Sequence, residues 1–172
     1  MTQIIVIAAV AENYVIGNKG DIPWRIKEDF QHFQDLTMGH SCIMGDRTFD
    51  SLPENARPLP GRENIVLTFN KEYKAPGTVI FFSWEEGIKY CNDNKQEKVY
   101  ICGGASIYKL GLLHADFLEL TRIHKSYDGD TRFPEIDFSQ WELIKKEDKE
   151  GKDRNNNNEI VKFSFETYKR KR

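Results

Sequence analysis

The chain has few of the groups that would make it a metal, membrane or polyanion binder. Its three cysteines, Cys42, Cys91 and Cys102, are odd in number and form no CxxC pair. Free thiols in a reducing compartment fit this best, each a small packed hydrophobe. The four histidines, at 32, 40, 114 and 124, make no HxxxH spacing, so no metal site is expected. No apolar run approaches the ~20 residues of a membrane span. Met1-Thr2-Gln3 leads straight into an apolar strand, without the basic stretch and cleavage site of a secretory signal. A cytoplasmic protein is expected. Neither sign of charge is in excess: 25 Lys and Arg face 27 Asp and Glu, which gives no electrostatic ground for nucleic acid. The basic end Lys169-Arg170-Lys171-Arg172 reads as a solvated tail. There is no repeat and no linker, and 172 residues suffice for a single domain, 1–172, with its own core.

What is present is an alternation of strands and helices. Ile4–Ala9 is a continuous apolar run, the pattern of a strand covered on both faces. Ser41–Met44, Asn64–Thr68, Thr78–Phe82 and Lys98–Cys102 look similar. Helical patterns lie between them, over 25–36, about 46–52, 84–93 and 105–113. The last third changes character. Phe117–Arg122, Trp141–Lys146 and Ile160–Tyr168 are strand-like with no helix between them. Gly151–Asn158, with its four successive asparagines, reads as a mobile hairpin loop. The expected fold is α/β: a mixed, mainly parallel sheet with helices on both faces and a C-terminal antiparallel hairpin.

One residue breaks the helical pattern over 25–36. Ile26, Phe30, Phe33 and Leu36 share one arc, and Lys27, Glu28, Gln31, Gln34 and Asp35 lie opposite. Asp29 sits inside the apolar arc, three after Ile26 and four before Phe33. A carboxylate facing the interior must be hydrogen-bonded or take up a proton. Its partner is either a protein group, such as a backbone amide or a threonine, or a polar ligand.

Two strands end in small residues that open a helix: Cys42–Phe49, through Gly45-Asp46-Arg47-Thr48, and Tyr100–Tyr108, through Gly103-Gly104-Ala105-Ser106. In an α/β sheet such turns lie at the carboxyl ends of strands, where helix N-termini face the ligand crevice. Arg47, Thr48 and Ser106 add donors at these mouths. Neither turn is GxGxxG. Each alone is equally an ordinary tight turn; two of them in one chain favour a diphosphate ligand.

In these segments the chain resembles the dihydrofolate reductase family, in its chromosomal single-domain form. The resemblance runs from the first strand to Tyr168. It rests on Val15-Ile16-Gly17, Ile22-Pro23-Trp24, Asp29 with Phe30 and Phe33, and Ile43-Met44-Gly45. It continues through Arg57-Pro58-Leu59-Pro60-Gly61-Arg62-Glu63-Asn64, Gly103-Gly104 and Gly129-Asp130-Thr131-Arg132-Phe133-Pro134. It implies reduction of dihydrofolate by NADPH, a small-molecule substrate and a monomer. It also implies a role for each matching residue. Asp29 would pair with the pterin 2-amino group and N3, with Thr121 as its supporting hydroxyl and Trp24 holding a water. The carbonyls of Ile7 and Cys102 would reach the pterin ring. Phe30 and Phe33 would pack on the pterin and benzoyl rings, with Leu52 and Leu59 opposite, and Arg62 would grip the glutamate carboxylate. Ala9, Ile16 and Gly17 would border the nicotinamide. Gly45, Arg47, Thr48, Gly103, Gly104, Ala105, Ser106 and Ile107 would meet the pyrophosphate, with a cis bond between the two glycines. Asn18–Trp24 would be the loop that closes over the nicotinamide.

Two departures stand out. Cys102 occupies a position where isoleucine or valine is common, and Asp46 one where many relatives are basic and help neutralise the adenosine 2′-phosphate. The resemblance implies that NADPH is preferred all the same, with Arg47, Thr68, Lys71 and Lys74 close enough to serve, although Phe69 stands where a hydroxyl is frequent. Asp46 either faces that phosphate or caps its helix toward solvent. Two other functions remain open at this point: a reductase of the same fold acting on a ribosylaminopyrimidine in flavin synthesis, and a catalytically silent nucleotide-binding module. The RPLPGR-N string and the Asp29–Thr121 pair speak against the first. The intact Asp29, Ile22-Pro23-Trp24 and Gly103-Gly104 speak against the second.

Overall fold

The first strand, β1 (Gln3–Ala11), is the centre of the molecule because its side chains are covered on both faces. Val6, Ala8 and Val10 point into one core, Ile5 and Ile7 into the other. This is the two-residue period of a strand written into an unbroken apolar run. The computed structural model describes all of residues 1–172. After β1 come β2 (Val15–Gly17), α1 (Lys27–Thr37), β3 (Ser41–Gly45), α2 (Asp46–Ser51), β4 (Glu63–Leu67), β5 (Val79–Phe81), α3 (Trp84–Asp93) and β6 (Lys98–Ile101). Then follow α4 (Ala105–His114), β7 (Phe117–Ile123), β8 (Thr131–Arg132), β9 (Trp141–Asp153) and β10 (Glu159–Arg170). Eight strands form one sheet in the order β5-β4-β3-β6-β1-β7-β10-β9. The pairs from β5 to β7 are parallel, and β10 and β9 are added antiparallel.

Helices cover both faces, as the alternation predicts. Trp84 and Cys91 of α3 and Ile107 and Tyr108 of α4 join the core that takes Val6, Ala8 and Val10. Phe33 and Leu36 of α1 and Phe49 of α2 pack on the opposite side with Ile5, Ile7, Cys42 and Met44. A third cluster closes one end of the sheet and joins Trp24 and Ile26 to Tyr127, Val161 and Phe163. No helix is long and apolar enough to cross a membrane.

Four expectations are corrected. The helix predicted from residue 25 begins at Lys27, because the Arg25 and Ile26 backbone is already bonded to the hairpin: Arg25 N donates to Asp153 Oδ1 at 3.0 Å and Ile26 bridges Asp153. The strand predicted to stop at Lys146 runs on to Asp153. The loop is therefore only Arg154–Asn158, and Asp153, assigned to a mobile loop, is fully buried. Two short pairing segments that no periodicity predicts, β2 and β8, form their own small sheet. Finally, the basic C-terminus is no free tail. Arg170 Nε and Nη2 donate to the carbonyls of Ala115 at 2.7 Å and Leu112 at 2.6 Å, completing the end of α4, and its guanidinium lies 4.3 Å from the Trp141 ring centroid.

Candidate active site

The carboxyl ends of β1, β3, β6 and β7 lie along one edge of the parallel sheet, the crevice side of an α/β fold, with α1 packed on the face that carries Ile5 and Ile7. Asp29 is only 6 % exposed and lies in the first turn of α1. Thr121 on β7 is in register with Ala9 on β1 and is also buried. Trp24, just before α1, is 1 % exposed. The Asp29 carboxyl accepts no hydrogen bond in ordinary geometry from any protein group. Burial pushes its pKa from 3.8 up to about 6, and the nearby Thr121 hydroxyl and Trp24 indole N–H draw it partly back. Trp24 Nε1 is itself buried and without a hydrogen-bond partner. A buried acid with only weak protein partners, beside a buried donor with none in bonding geometry, marks a place suited to a polar ligand.

The floor of the crevice is β1. The Ile7 carbonyl accepts the Tyr108 hydroxyl at 2.8 Å, and a carbonyl has a second lone pair to offer. Tyr108 was not foreseen as a site residue. It sits one turn into α4, where N–H of Tyr108 bonds the Gly104 carbonyl, and that spacing aims its ring back at the Gly103 turn. Burial pushes its phenol well above the ordinary range, with Cys102 and the Asp29 charge adding to the effect. Cys102 follows β6, half-buried, with its N–H on the Ile43 carbonyl.

The outer wall carries the apolar and cationic groups. Phe30, Phe33 and Leu52 are half-buried, and Leu59 is buried. Phe33 and Leu52 pack against the core cluster that contains Leu59. The motif around Leu59 owes its shape to Asn64, another residue whose role the strand pattern hid. Its side chain accepts from Leu59 N at 2.8 Å and donates to the carbonyls of Leu59 at 3.1 Å and Arg62 at 3.0 Å. Arg62 is braced in turn, with Nε on the Pro60 carbonyl at 2.9 Å and Nη1 on Thr37 Oγ1 at 3.2 Å. Its guanidinium lies 6.0 Å from the Phe33 ring centroid. A guanidinium held this way has N–H groups left for a carboxylate.

The two strand–helix turns meet. Gly45 N donates to the Gly103 carbonyl at 2.9 Å, and the Gly103–Gly104 bond is cis. A Cβ on Gly45 would stand 3.3 Å from Ile107 Cγ1, and one on Gly104 would stand 3.3 Å from Thr48 Oγ1. The glycines thus keep open a cradle that side chains would fill. The amides of Ala105 and Ser106 open α4 beside it, and the exposed side chains of Arg47 and Ser106 stand at its rim. At the β4 end Asp46 turns inward. Its Oδ2 accepts from Thr68 Oγ1 at 2.8 Å and its Oδ1 from Arg47 N at 2.6 Å. Thr68 is therefore tied to an acid, Lys71 lies 5.9 Å over the Phe82 ring, and Lys74 and Phe69 are exposed. At the other end Ala9, Ile16 and Gly17 are half-buried beside Asn18–Trp24. That segment is held by Lys19 N donating to Asp130 Oδ2 at 3.0 Å and by the β2–β8 pairing.

A family model described as dihydrofolate reductase matches residues 3–170. A dihydrofolate reductase of Bacillus subtilis is 38% identical over 141 residues, covering 82% of this chain and 81% of that protein. One from Neisseria gonorrhoeae is 42% identical over 141 residues, 82% of this chain and 85% of that protein. Among solved structures, dihydrofolate reductase from Enterococcus faecalis, complexed with NADP(H) and RAB-propyl, superposes with a TM-score of 0.87 at 34% identity, covering 99% of this chain and 97% of that one.

Proposed function

The chain belongs to the dihydrofolate reductase family, and from that premise we propose how its residues divide the work of the reaction. The enzyme reduces 7,8-dihydrofolate to 5,6,7,8-tetrahydrofolate with NADPH. The observation that carries the assignment of roles is Asp29: buried, with only the Thr121 hydroxyl and the Trp24 indole N–H beside it, and with its pKa raised to about 6.

Asp29 receives the 2-amino group and N3 of the pterin on its two oxygens, side by side, the geometry that a carboxylate offers and an amide does not. Thr121 steadies that carboxylate from β7. The carbonyls of Ile7 and Cys102 meet the ring from below. Phe30 and Phe33, with Leu52 and Leu59 opposite, exclude water from the ring and the benzoyl group, and Arg62 takes the glutamate α-carboxylate.

The cradle of Gly45, Gly103 and Gly104 fits a diphosphate: its shape leaves no room for side chains and its rim carries N–H, hydroxyl and guanidinium donors. Arg47, Thr48, Ala105, Ser106 and Ile107 hold the pyrophosphate there, and Ala9, Ile16 and Gly17 shape the nicotinamide end. Thr68 lies toward the adenosine. When bound, NADPH supplies a hydride from its nicotinamide C4 to pterin C6. Asp29 keeps the pterin oriented and biased toward protonation, and Trp24 Nε1 positions a water that delivers the proton to N5. By holding both reactants, these walls would remove much of the entropic barrier. The chain acts as one domain over 1–172, a monomer in the cytoplasm, with no nucleic-acid or membrane partner.

The test is turnover of dihydrofolate followed by loss of NADPH absorbance, run in parallel with NADH and with a ribosylaminopyrimidine substrate. Saturable oxidation dependent on dihydrofolate is expected. Turnover of the ribosylaminopyrimidine alone, or cofactor binding with no turnover, would overturn the reading.

A further inference from the structure

The most completely bonded polar side chain outside the crevice is Asp153, and the reaction as described makes no use of it. It stands at the end of β9, 128 residues from Arg25 in sequence, and is fully buried. Every lone-pair direction that matters is taken. Oδ1 accepts from Arg25 N at 3.0 Å and Asn155 N at 3.1 Å. Oδ2 accepts from Tyr127 Oη at 2.7 Å and Asn156 Nδ2 at 2.7 Å. Burial opposes its charge, but these four donors together hold its carboxyl below the ordinary range. The aspartate is thus a permanent anion at the tip of a hairpin.

What that anion grips is the segment that carries the catalytic wall. Arg25 directly follows Trp24 and precedes Ile26, the N-cap of α1; Asp29 lies three residues further on. Tyr127, held by its hydroxyl to Asp153, presents its ring to Trp24, with centroids 5.1 Å apart and planes at 54°. Two backbone ties reinforce the grip: the Ile26–Asp153 bridge and Arg154 N on the Arg25 carbonyl at 2.9 Å. The approach is close. A Cβ on Gly151 would stand 3.2 Å from Ile26 Cγ2 and would displace the Glu28 carboxylate, so the hairpin lies directly against the start of the helix.

We propose that Asp153 is a positioning residue for hydride transfer: through Arg25 N and the Tyr127 hydroxyl it seats Trp24 and the first turn of α1, and so sets where Trp24 Nε1 and the Asp29 carboxyl stand in the crevice. The inference rests on the roles given above to Trp24 and Asp29. Neither contact touches the substrate; a small shift of the seat leaves Asp29 able to pair with the pterin while misaligning it for the chemical step, so the loss falls mainly on the rate. An error of about an ångström in such a wall costs on the order of a hundredfold in the chemical step. Losing an interaction made only in the transition-state geometry lowers kcat with little change in KM.

The experiment combines single-turnover hydride transfer, steady-state KM for dihydrofolate, urea denaturation, and fluorine NMR of protein labelled with fluorotryptophan, for Asp153→Ala, Asp153→Asn and Tyr127→Phe. The Trp24 resonance is assigned with Trp24→Phe. In folded Asp153→Ala the hydride-transfer rate is expected to fall about ten- to a hundredfold, with KM within about threefold of wild type. The Trp24 resonance moves while those of Trp84 and Trp141 stay. Tyr127→Phe keeps the carboxylate and its grip on Arg25, and loses about three- to tenfold. Should Asp153→Ala fail to fold, Asp153→Asn and Tyr127→Phe read the same quantities. A hydride-transfer rate within twofold of wild type in the folded variants overturns the proposal, as does a rise in KM at unchanged kcat. So does lower stability with an unmoved Trp24 resonance. The resonance needs no turnover. A moved Trp24 signal in a protein that does not reduce dihydrofolate would therefore count against the proposed function, not the clamp.

Discussion

Replacing Asp29 with asparagine should make the protein more stable at neutral pH relative to acid, and nearly inactive. In the folded chain burial lifts the Asp29 pKa from 3.8 to about 6, so folding favours the protonated acid. Below the unfolded-state value both states hold the proton and there is no penalty. As pH rises toward 6 the unfolded chain ionises first, the folded chain binds more protons, and stability falls. Above the folded value the full cost is in place. At 1.36 kcal/mol per tenfold in proton affinity, the gap between 3.8 and about 6 is worth about 3 kcal/mol. Asparagine never ionises. It brings its own constant cost, about 1–3 kcal/mol for buried amide groups without partners. That offset is the same at every pH, so the difference between variant and wild type should change by about 3 kcal/mol in the variant's favour between pH 3 and pH 8.

Urea denaturation of both proteins across that range, without ligands, measures this change directly. For a chain of this length it corresponds to a relative gain of about 6–12 °C in Tm. The same variant should lose roughly thirty- to a thousandfold in kcat/KM for dihydrofolate at neutral pH, because an amide cannot present two anionic acceptors to the pterin. A difference in stability that stays flat with pH refutes the claim that Asp29 is a desolvated acid. Near wild-type kcat/KM refutes its role in the site.

Three further outcomes follow from particular contacts. Arg62→Ala should weaken dihydrofolate binding about ten- to a hundredfold and leave a pterin without the glutamate tail nearly unaffected, since the contact proposed for the arginine is with the carboxylate alone; equal losses in titrations of both ligands would make it a structural brace for Pro60 and Thr37. Asp46→Arg should tighten NADPH by about 1–3 kcal/mol and leave NADH unchanged, because it removes an acid held toward Thr68 at the adenosine end and adds a cation; equilibrium titrations that show no change in either cofactor place Asp46 away from the 2′-phosphate. Gly111→Ala should destabilise the fold by about 1–2 kcal/mol with kcat/KM unchanged, since overpacking outweighs the gain in helix propensity: the new Cβ would stand 2.9 Å from Val6 Cγ2 and 3.0 Å from Ile101 Cγ2, both within the sheet.

Much of the fold was legible because its signals are local. The apolar runs of β1, β3, β4 and β6 and the period of α3 and α4 sit in the sequence where the structure has them. What escaped is decided by distant partners. The start of α1 is set by Asp153, more than a hundred residues away, which takes the Arg25 amide and leaves helix for Lys27 onward. The extension of β9 through Lys145–Lys152 has no alternation of apolar side chains, since this edge strand is exposed along its length, so only its pairing with β10 reveals it. The β2–β8 sheet is too short for any period to show. In the site, Asp29 announced itself as an acid on an apolar arc. Tyr108 and Asn64 did not, because an aromatic in a helix and an asparagine opening a strand break no pattern; their importance lies in the carbonyls that they reach.

The two buried aspartates show where such reading stops. Both lie below a tenth exposure, and each looks from composition like a polar residue needing a partner. The chain treats them in opposite ways. Asp153 has four donors that hold its pKa down, so its charge is spent within the fold and can only act as a strut. Asp29 has none in bonding geometry, and its pKa rises to meet neutral pH, so its charge is available to whatever enters the crevice. The distinction turns on the count of donors brought from elsewhere in the chain. Asp29, the less satisfied of the two, weakens the empty fold at neutral pH, and that unmet demand is what a pterin bearing a 2-amino group and N3 can answer.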